Sequence, residues 1–196
     1  NRRTYIMSKT NFKQLLQRLS SSGIKANTHK AREWFRSKVR QSGITRTTLM
    51  LDKERFSSAI TVGKMYCYYY SPKHAKILPY YDEFPLIFVV DINKGGFLGI
   101  NLHYVSPRDR LVIMESLSTI TNNKRYDRST KLALSYNVLK KISKYNMIKP
   151  CVKQYLISHV RSNLMNIEAN EWDIAIFLPV QKFKKSSPSK IWNRKG

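Results

Sequence analysis

Leu86-Ile-Phe-Val-Val-Asp-Ile92 and Phe97-Leu-Gly-Ile-Asn-Leu-His-Tyr-Val105 are two apolar runs, and the short connection Asn93-Lys-Gly-Gly96 separates them. Both runs are rich in β-branched and aromatic residues, which favour strands, and the glycines favour a turn. The pattern predicts a β-hairpin with a longer or bulged turn. We expect this hairpin to be the middle of a small SH3-like β-barrel in an α+β protein, with helices packed on the barrel and basic extensions at both ends.

The same barrel is expected to extend from Val62 to Tyr104 and to include a return strand at Asn163 to Glu168, where apolar and polar residues alternate. Its first strand would be the aromatic stretch Lys64-Met-Tyr-Cys-Tyr-Tyr-Tyr-Ser71. Exposed tyrosines beside cations would suit stacking with single-stranded nucleic acid. Tyrosines on a half-buried strand are more often core residues, so we favour a packing role for them.

Charge is the most unusual property of the chain. Its 196 residues include 36 Lys and Arg against 12 Asp and Glu, a formal net charge of +24. A compact surface with this charge repels itself unless an anionic partner lies nearby. Nucleic acid is the first candidate partner, and an anionic membrane face or an acidic protein surface are the alternatives.

The cations are concentrated outside the predicted barrel. Residues 1–50 carry 12 basic and one acidic side chain, whereas residues 51–123 carry eight and seven. This distribution predicts three parts: a basic helical N-terminal arm (1–61), a mixed α/β core domain with the barrel (62–180) and a basic C-terminal tail (181–196). The tail is rich in Lys, Ser and Pro, so we expect it to be extended or disordered until it meets a surface.

Helical periodicity supplies the candidate binding residues. A short amphipathic helix is predicted over Asn11 to Ser20, and a second begins after Asn27 or Thr28 with Ala31, Trp34, Phe35 and Val39 on its apolar side. Its other side is basic. A later helix, from Ser129 or Thr130 through Lys144, has a similar basic face. The candidate nucleic-acid-binding residues are Lys30, Arg32, Arg36, Lys38, Arg40, Lys140, Lys141, Lys144, Lys182, Lys184 and Lys185.

Three further helices are predicted. One starts at Ser106, which is followed by proline at the first helical position and by an acid in the first turn. Another covers Pro150 to Arg161, where apolar residues recur at helical spacing. A short one follows Asn170 and continues through Leu178.

No set of residues forms a convincing catalytic or metal site. The four histidines lie in different segments, and the carboxylates are few. We therefore predict no enzyme activity, no metal and no cofactor, with Asp82 and His103 as structural, hydrogen-bonded residues. Cys67 and Cys151 are expected to be reduced core residues. No apolar run is long enough to span a bilayer, so we expect a soluble protein that is intracellular or carried in a particle.

Four segments resemble a known family: Leu78-Pro-Tyr-Tyr-Asp-Glu-Phe-Pro-Leu86, Gly96 to Tyr104, Lys149-Pro-Cys-Val-Lys153 with Val160-Arg161-Ser162, and Glu171-Trp-Asp-Ile-Ala-Ile-Phe-Leu-Pro179. They are similar, in the same order, to the DNA end protector proteins of T4-like tailed bacteriophages, over roughly residues 60 to 195. The resemblance implies a virion protein that binds the ends of packaged linear double-stranded DNA, in or near the neck, tail or portal region. It also implies other virion proteins as partners and a period in the host cytoplasm during assembly. It implies no catalytic residue, membrane partner or small-molecule substrate.

Two other functions remain open at this point. The protein could be a structural tail, neck or baseplate component whose basic arms bind acidic neighbouring subunits, because arms that order on assembly have the same composition. It could also be an RNA-binding protein of ribosomal type, which the tyrosine strand would permit.

Overall fold

A computed structural model describes residues 11–193 as one mixed α and β fold. Within this range the helices are α1 (Phe12–Ser21), α2 (His29–Lys38), α3 (Arg46–Met50), α4 (Pro107–Thr121), α5 (Arg128–Ile142), α6 (Trp172–Ala175) and α7 (Pro188–Trp192). The strands are β1 (Phe56–Ser57), β2 (Met65–Cys67), β3 (Tyr81–Asp82), β4 (Leu86–Asn93), β5 (Gly96–Asn101), β6 (Val152–Leu156), β7 (Leu164–Ile167) and β8 (Phe183–Lys184). The α+β class predicted from the sequence is confirmed.

The predicted hairpin is the centre of the main sheet. β4 and β5 pair antiparallel and are joined by Lys94 and Gly95 alone, where Gly95 adopts a φ of +82° that favours glycine. The irregularity expected in the turn lies instead inside β4, where the register shifts between Val89 and Asp91. β5 ends at Asn101, earlier than predicted, because the Asn101 side chain accepts a hydrogen bond from the backbone N–H of His103 and starts a turn.

The sheet is open, so the prediction of a closed SH3-like barrel is not met within the described residues. Six antiparallel strands follow the order β1-β7-β2-β4-β5-β6. The return strand was correctly predicted, because β7 lies between β1 and β2. Closure would require β1 to pair with β6, but β1 has only two residues, too few for the staggered ladder of a barrel.

The helix predicted over Pro150 to Arg161 is wrong, because this segment contains β6 between two 3-10 turns. Its apolar residues recur at a helical period, so the strand is decided by tertiary pairing and not by the local pattern. β6 completes the ladder along the free side of β5, and Tyr155 stacks on Phe97 with ring centroids 5.7 Å apart. Packing of this kind commonly overrides local preference.

The two faces of the sheet are covered differently. The main face contributes Met65, Cys67, Phe88 and Ile100 to a large core that also contains the buried residues of the helices. The opposite face carries a smaller cluster of Tyr66, Tyr68, Tyr70, Ile87, Val89, Phe97 and Tyr155. The packing role predicted for the tyrosine strand is thus confirmed: the three tyrosines of this cluster on that strand are buried and offer no ring face to a nucleotide.

Both ends of the described chain pack against this core. Phe12 and Leu15 of α1 and Phe35 of α2 belong to the same buried cluster as the central strands. The expectation of an extended or disordered tail is wrong for residues 181–193, because β8 pairs with β3 and α7 places Ile191 in the core. The apolar residues spaced along the tail act as anchors. The division of the chain at residues 61 and 180 stays a prediction.

Candidate nucleic-acid interface

Helix α2 and the turn that follows it expose four of the five cations that were predicted there. Thr28 begins the helix by accepting a hydrogen bond from the N–H of Ala31 at 3.2 Å, as one of the two predicted caps. Ala31, Phe35 and Val39 face the core. Four cations of the helix and the 3-10 turn that follows it are exposed: Lys30, Arg36, Lys38 and Arg40.

Arg32 is the exception, and its predicted position on the exposed face is wrong. Its side chain is only 2% exposed. The guanidinium donates hydrogen bonds to Glu115 and, at 3.0 Å, to the Ser118 hydroxyl, both on α4. Its Nη1 also lies 3.6 Å from Oδ2 of Asp173 at the start of α6, an attraction without a hydrogen bond. Arg32 therefore holds α2 against α4 and α6 and is not available to an anionic partner.

The Asp173 carboxyl that faces Arg32 is a buried acid whose pKa is raised to about 6. Burial is the main cause, and the nearby Arg32 offsets it only in part. Because Asp173 binds its proton more tightly in the folded protein, we expect its contribution to stability to fall by about 3 kcal/mol as pH rises from about 4 to about 6. Urea unfolding of the wild type and of Asp173→Asn at several pH values measures this change, since the variant has no carboxyl to titrate at this position. Parallel stability curves for the two proteins between pH 4 and 7 would contradict it.

A groove between α1 and α2 brings two cations and an indole together. We define the α1–α2 groove by Gln14, Gln17, Arg18, Ser21 and Ser22 of α1 and Trp34 and Lys38 of α2, which line an open depression of about 600 Å³. A smaller cavity of about 200 Å³ shares Arg18, Trp34 and Lys38 and continues to Gln41 and Ser42. Within residues 11–193, no carboxylate lines either space. These three side chains are therefore the centre of one basic concave surface.

The electrostatics of this surface are one-sided. Residues 11–50 contain nine Lys and Arg and only one acid, Glu33. Glu33 lies 3.2 Å from His29 on α2, and both side chains are 70% exposed. Among the described residues, neither Arg18 nor Lys38 forms an ion pair with a carboxylate. The positive charge of this part of the chain is consequently left for a partner to neutralise.

The second group of predicted binding lysines lies at the end of the α4–α5 pair that is far from the start of α2. Lys140, Lys141 and Lys144 are exposed near the end of α5, and Lys140 donates to the Tyr136 hydroxyl at 3.1 Å. α2 instead approaches the end of α4, where Asn122 donates to the carbonyl of Asn27. Because α4 and α5 form a helical hairpin, these lysines are separated from the start of α2 by much of the length of α4.

The third group of predicted binding lysines, in the C-terminal tail, forms contacts with other parts of the protein. Lys182 and Lys184 lie 3.1 and 3.8 Å from the same carboxylate oxygen of Glu83. Lys185 donates to the carbonyls of Ala75, Lys76 and Leu78 at 2.7 to 3.0 Å. Lys185 thus fixes the loop before β3, which is a structural role that its sequence context did not indicate.

Sequence reasoning missed Arg18 and misplaced Trp34. Trp34 was assigned to the apolar side of α2, but it is only partly buried at the edge of the core and lines the groove. One signal could have shown this, because Lys30, Trp34 and Lys38 recur every four residues and share one side of the helix. An aromatic residue between two cations is the arrangement that single-stranded nucleic acid sites use.

Several remaining polar and thiol groups are buried and have structural contacts. Asp82 fixes a turn by accepting from the N–H of Phe84 and also lies 2.7 Å from Nδ1 of His103, so the structural roles predicted for both are confirmed. Cys67 and Cys151 are free and buried, and burial raises the pKa of Cys67 to about 12. In residues 11–193 no group of three His, Cys, Asp or Glu could hold a metal ion, and no helix has the length and apolar character to span a membrane.

Comparison with known proteins decides the family. A family model described as phage T4 terminal DNA protecting protein matches residues 1–195. The chain belongs to this family. No curated protein and no solved structure matches it. The match covers the basic N-terminal region as well as the segments that carried the resemblance, so a phage protein associated with DNA termini is the context in which the basic surface is interpreted.

Proposed function

We propose that this protein binds the ends of packaged linear double-stranded DNA in the phage particle and shields them without catalysing a reaction. The family match supports the ligand. The observation that carries the proposal is the exposed basic surface of α1 and α2, since residues 11–50 contain nine cations and one acid and only Arg32 among these cations is buried and paired with a carboxylate in the described residues. Lys and Arg contacts to phosphate release counterions and carry little sequence information, which suits a protein that must accept any terminus.

The proposed contacts follow from exposure. Lys30, Arg36, Lys38 and Arg40 form the first phosphate-binding group, and Lys140, Lys141 and Lys144 form a second one farther along the duplex. Lys182 and Lys184 contribute less because Glu83 neutralises part of their charge. Arg32 and Lys185 are left out, because burial and internal hydrogen bonds engage them.

The proposal includes a place in the particle. The DNA ends, and neighbouring virion proteins of the neck, tail or portal region, are the expected partners, after a stage in the host cytoplasm during assembly. Exposed apolar side chains at the hairpin end of the sheet, Ile92 at 47% and Ile157 at 53% exposure, support a protein contact there. The same observation favours the second candidate function, a structural neck, tail or baseplate component whose basic surface meets acidic subunits.

Binding to DNA separates the two functions. We expect the protein to protect linear duplex DNA from an exonuclease at about 50 mM salt and to lose this protection steeply towards about 300 mM, because phosphate contacts make affinity salt-dependent. Replacing Lys30, Arg36, Lys38 and Arg40 with Gln should reduce the slope of log affinity against log salt by about 3 to 4. Fluorescence anisotropy with labelled duplex measures the slope.

The matched control removes four exposed lysines from the nearly neutral middle of the chain, Lys53, Lys73, Lys76 and Lys94. This variant has the same net charge as the α2 variant, so it separates a local effect from a global one. Equal slopes for the two variants would place the binding surface elsewhere. No complex between the wild type and DNA at physiological salt would refute the proposal and favour the structural function.

A further inference from the structure

We propose that the α1–α2 groove receives the terminus of a DNA strand, with the terminal base stacked on Trp34 and the adjacent phosphates held by Arg18 and Lys38. This inference rests on the proposed function and assigns its end-specific part to named residues. It separates two tasks: the exposed cations of α2 and α5 contact the duplex along its backbone, and the groove recognises that the duplex ends.

The first support is that the two cations of the groove form no ion pair among the described residues. Among the described residues, the indole N–H of Trp34 makes no hydrogen bond, and neither Arg18 nor Lys38 has an ionic partner. Other cations of the protein are engaged: Arg32, Arg55 and Lys182 each contact a carboxylate. Two positive charges without ionic partners lie beside a half-buried indole that packs edge-on against Phe35, with ring centroids 5.3 Å apart. This arrangement matches an anionic ligand that also has a planar face.

The second support is size and lining. The volume of about 600 Å³ lies in the range of sites that bind small molecules, so it accommodates a nucleotide. Gln17 of α1 supplies an amide group to the lining, which Trp34 of α2 shares, whereas the Ser21 and Ser22 hydroxyls donate to carbonyls of their own helix. An amide such as that of Gln17 donates to phosphate and sugar oxygens as well as to base edges. The absence of a carboxylate from the lining removes the main source of repulsion.

The third support is the geometry of DNA itself. Inside a duplex both faces of each base pair are covered by neighbouring pairs, so an aromatic side chain has nothing to stack on unless it intercalates. Only a terminal base has an open face. Trp34 lies in a groove and not on a protruding wedge, so it suits an end and not an internal step. Stacking of one base on an aromatic ring changes affinity by about 5- to 150-fold.

The test compares DNA with and without ends. A relaxed minicircle and the same minicircle cut once have identical sequence and backbone charge, so their affinity ratio reports end recognition. We expect the wild type to prefer the cut form by about 5- to 150-fold at fixed salt. Trp34→Leu, which keeps an apolar side chain but removes the ring, should lose this preference and keep its affinity for the closed circle. Trp34→Phe should retain most of the preference.

Two control variants separate the groove from the general basic surface. Arg18→Gln with Lys38→Gln should lower affinity for the cut form more than for the circle. Arg36→Gln with Arg40→Gln removes the same charge from α2 and the turn after it, outside the groove, and should lower both affinities alike. Urea unfolding confirms that each variant is folded.

The outcomes distinguish the inference from the proposed function. If Trp34→Leu keeps the preference for cut DNA, or if it weakens binding to both forms equally, the groove is not the end site, although DNA binding stands. If the wild type binds both forms equally, end recognition is absent and the inference fails. If the wild type binds neither form, the proposed function fails with it.

Discussion

Arg32→Met is expected to lower the free energy of unfolding at pH 7 by about 1 to 3 kcal/mol, because the buried Asp173 loses the cation that favours its ionised form and Glu115 and Ser118 lose a hydrogen-bond donor. The Asp173 side chain is 4% exposed and lies 3.6 Å from the guanidinium. Glu115 also loses its partner, but it is 69% exposed and keeps its hydration. Asp173 has a pKa of about 6 and can bind a proton at pH 7, so its share of the cost is at most about 1.4 kcal/mol, and the rest comes from the lost packing and hydrogen bonds of the Arg32 side chain. Urea denaturation of the wild type and the variant measures it.

Two further variants make this prediction specific. Arg36→Met, at an exposed position one turn farther along α2, should change stability by less than about 0.5 kcal/mol. The double variant Arg32→Met with Asp173→Asn should recover the part of the lost stability that comes from Asp173, because no buried carboxyl is left without its cation. Where Arg32→Met is folded, its affinity for duplex DNA should equal that of the wild type. A tenfold loss of affinity in the folded variant would return Arg32 to the binding surface.

The contrast between Arg32 and Arg36 shows what the sequence could and could not predict. Both residues lie on a basic amphipathic helix whose start and whose core-facing Ala31 and Phe35 follow from local signals, and those predictions are confirmed. Which of the two is buried depends on carboxylates contributed by α4 and α6, far away in the chain. Periodicity contains no information about such partners, so it grouped a structural cation with the exposed ones.

The same limit explains the other differences. The β4–β5 hairpin and the starts of α1, α2 and α4 were predictable because caps, turns and alternation are encoded within a few residues. The β6 segment and the open edge of the sheet depend on pairing between distant strands. Lys185 became structural because the tail folds back onto the loop that precedes β3. The α1–α2 groove likewise exists only once two helices pack together.

Asp82 connects three distant parts of the protein. One carboxylate oxygen accepts from the backbone N–H of Phe84 at 3.0 Å and from that of Lys182 at 3.1 Å. The other accepts from the Asn101 amide at 3.1 Å and lies 2.7 Å from Nδ1 of His103. The carboxyl is almost completely buried. It therefore joins the β3 turn, the end of β5 and the first residues of the C-terminal tail.

The ionisation of Asp82 is tied to this network. Burial alone would raise its pKa, but His103 and the two backbone amides outweigh burial and lower the pKa below its usual value. A carboxyl with a lowered pKa in the folded protein contributes stability that is fully present above its unfolded pKa, about 4. This contribution is lost as pH falls through the folded pKa. Asp82 is therefore ionised and stabilising throughout the neutral range.

Asp82→Ala is expected to destabilise the protein by about 3 to 5 kcal/mol at pH 7, because it leaves two amides, the Asn101 side chain and the His103 ring without their buried acceptor. Asp91→Ala, at an exposed position of the neighbouring strand, is the control and should change stability by less than about 0.5 kcal/mol. Urea unfolding measures both. Since the N–H of Lys182 loses its acceptor, limited trypsin digestion should also cut the variant first at Lys182 or Lys184. A change below about 1 kcal/mol, with an unaltered digestion pattern, would show that β3, β5 and the tail are held together without the carboxylate.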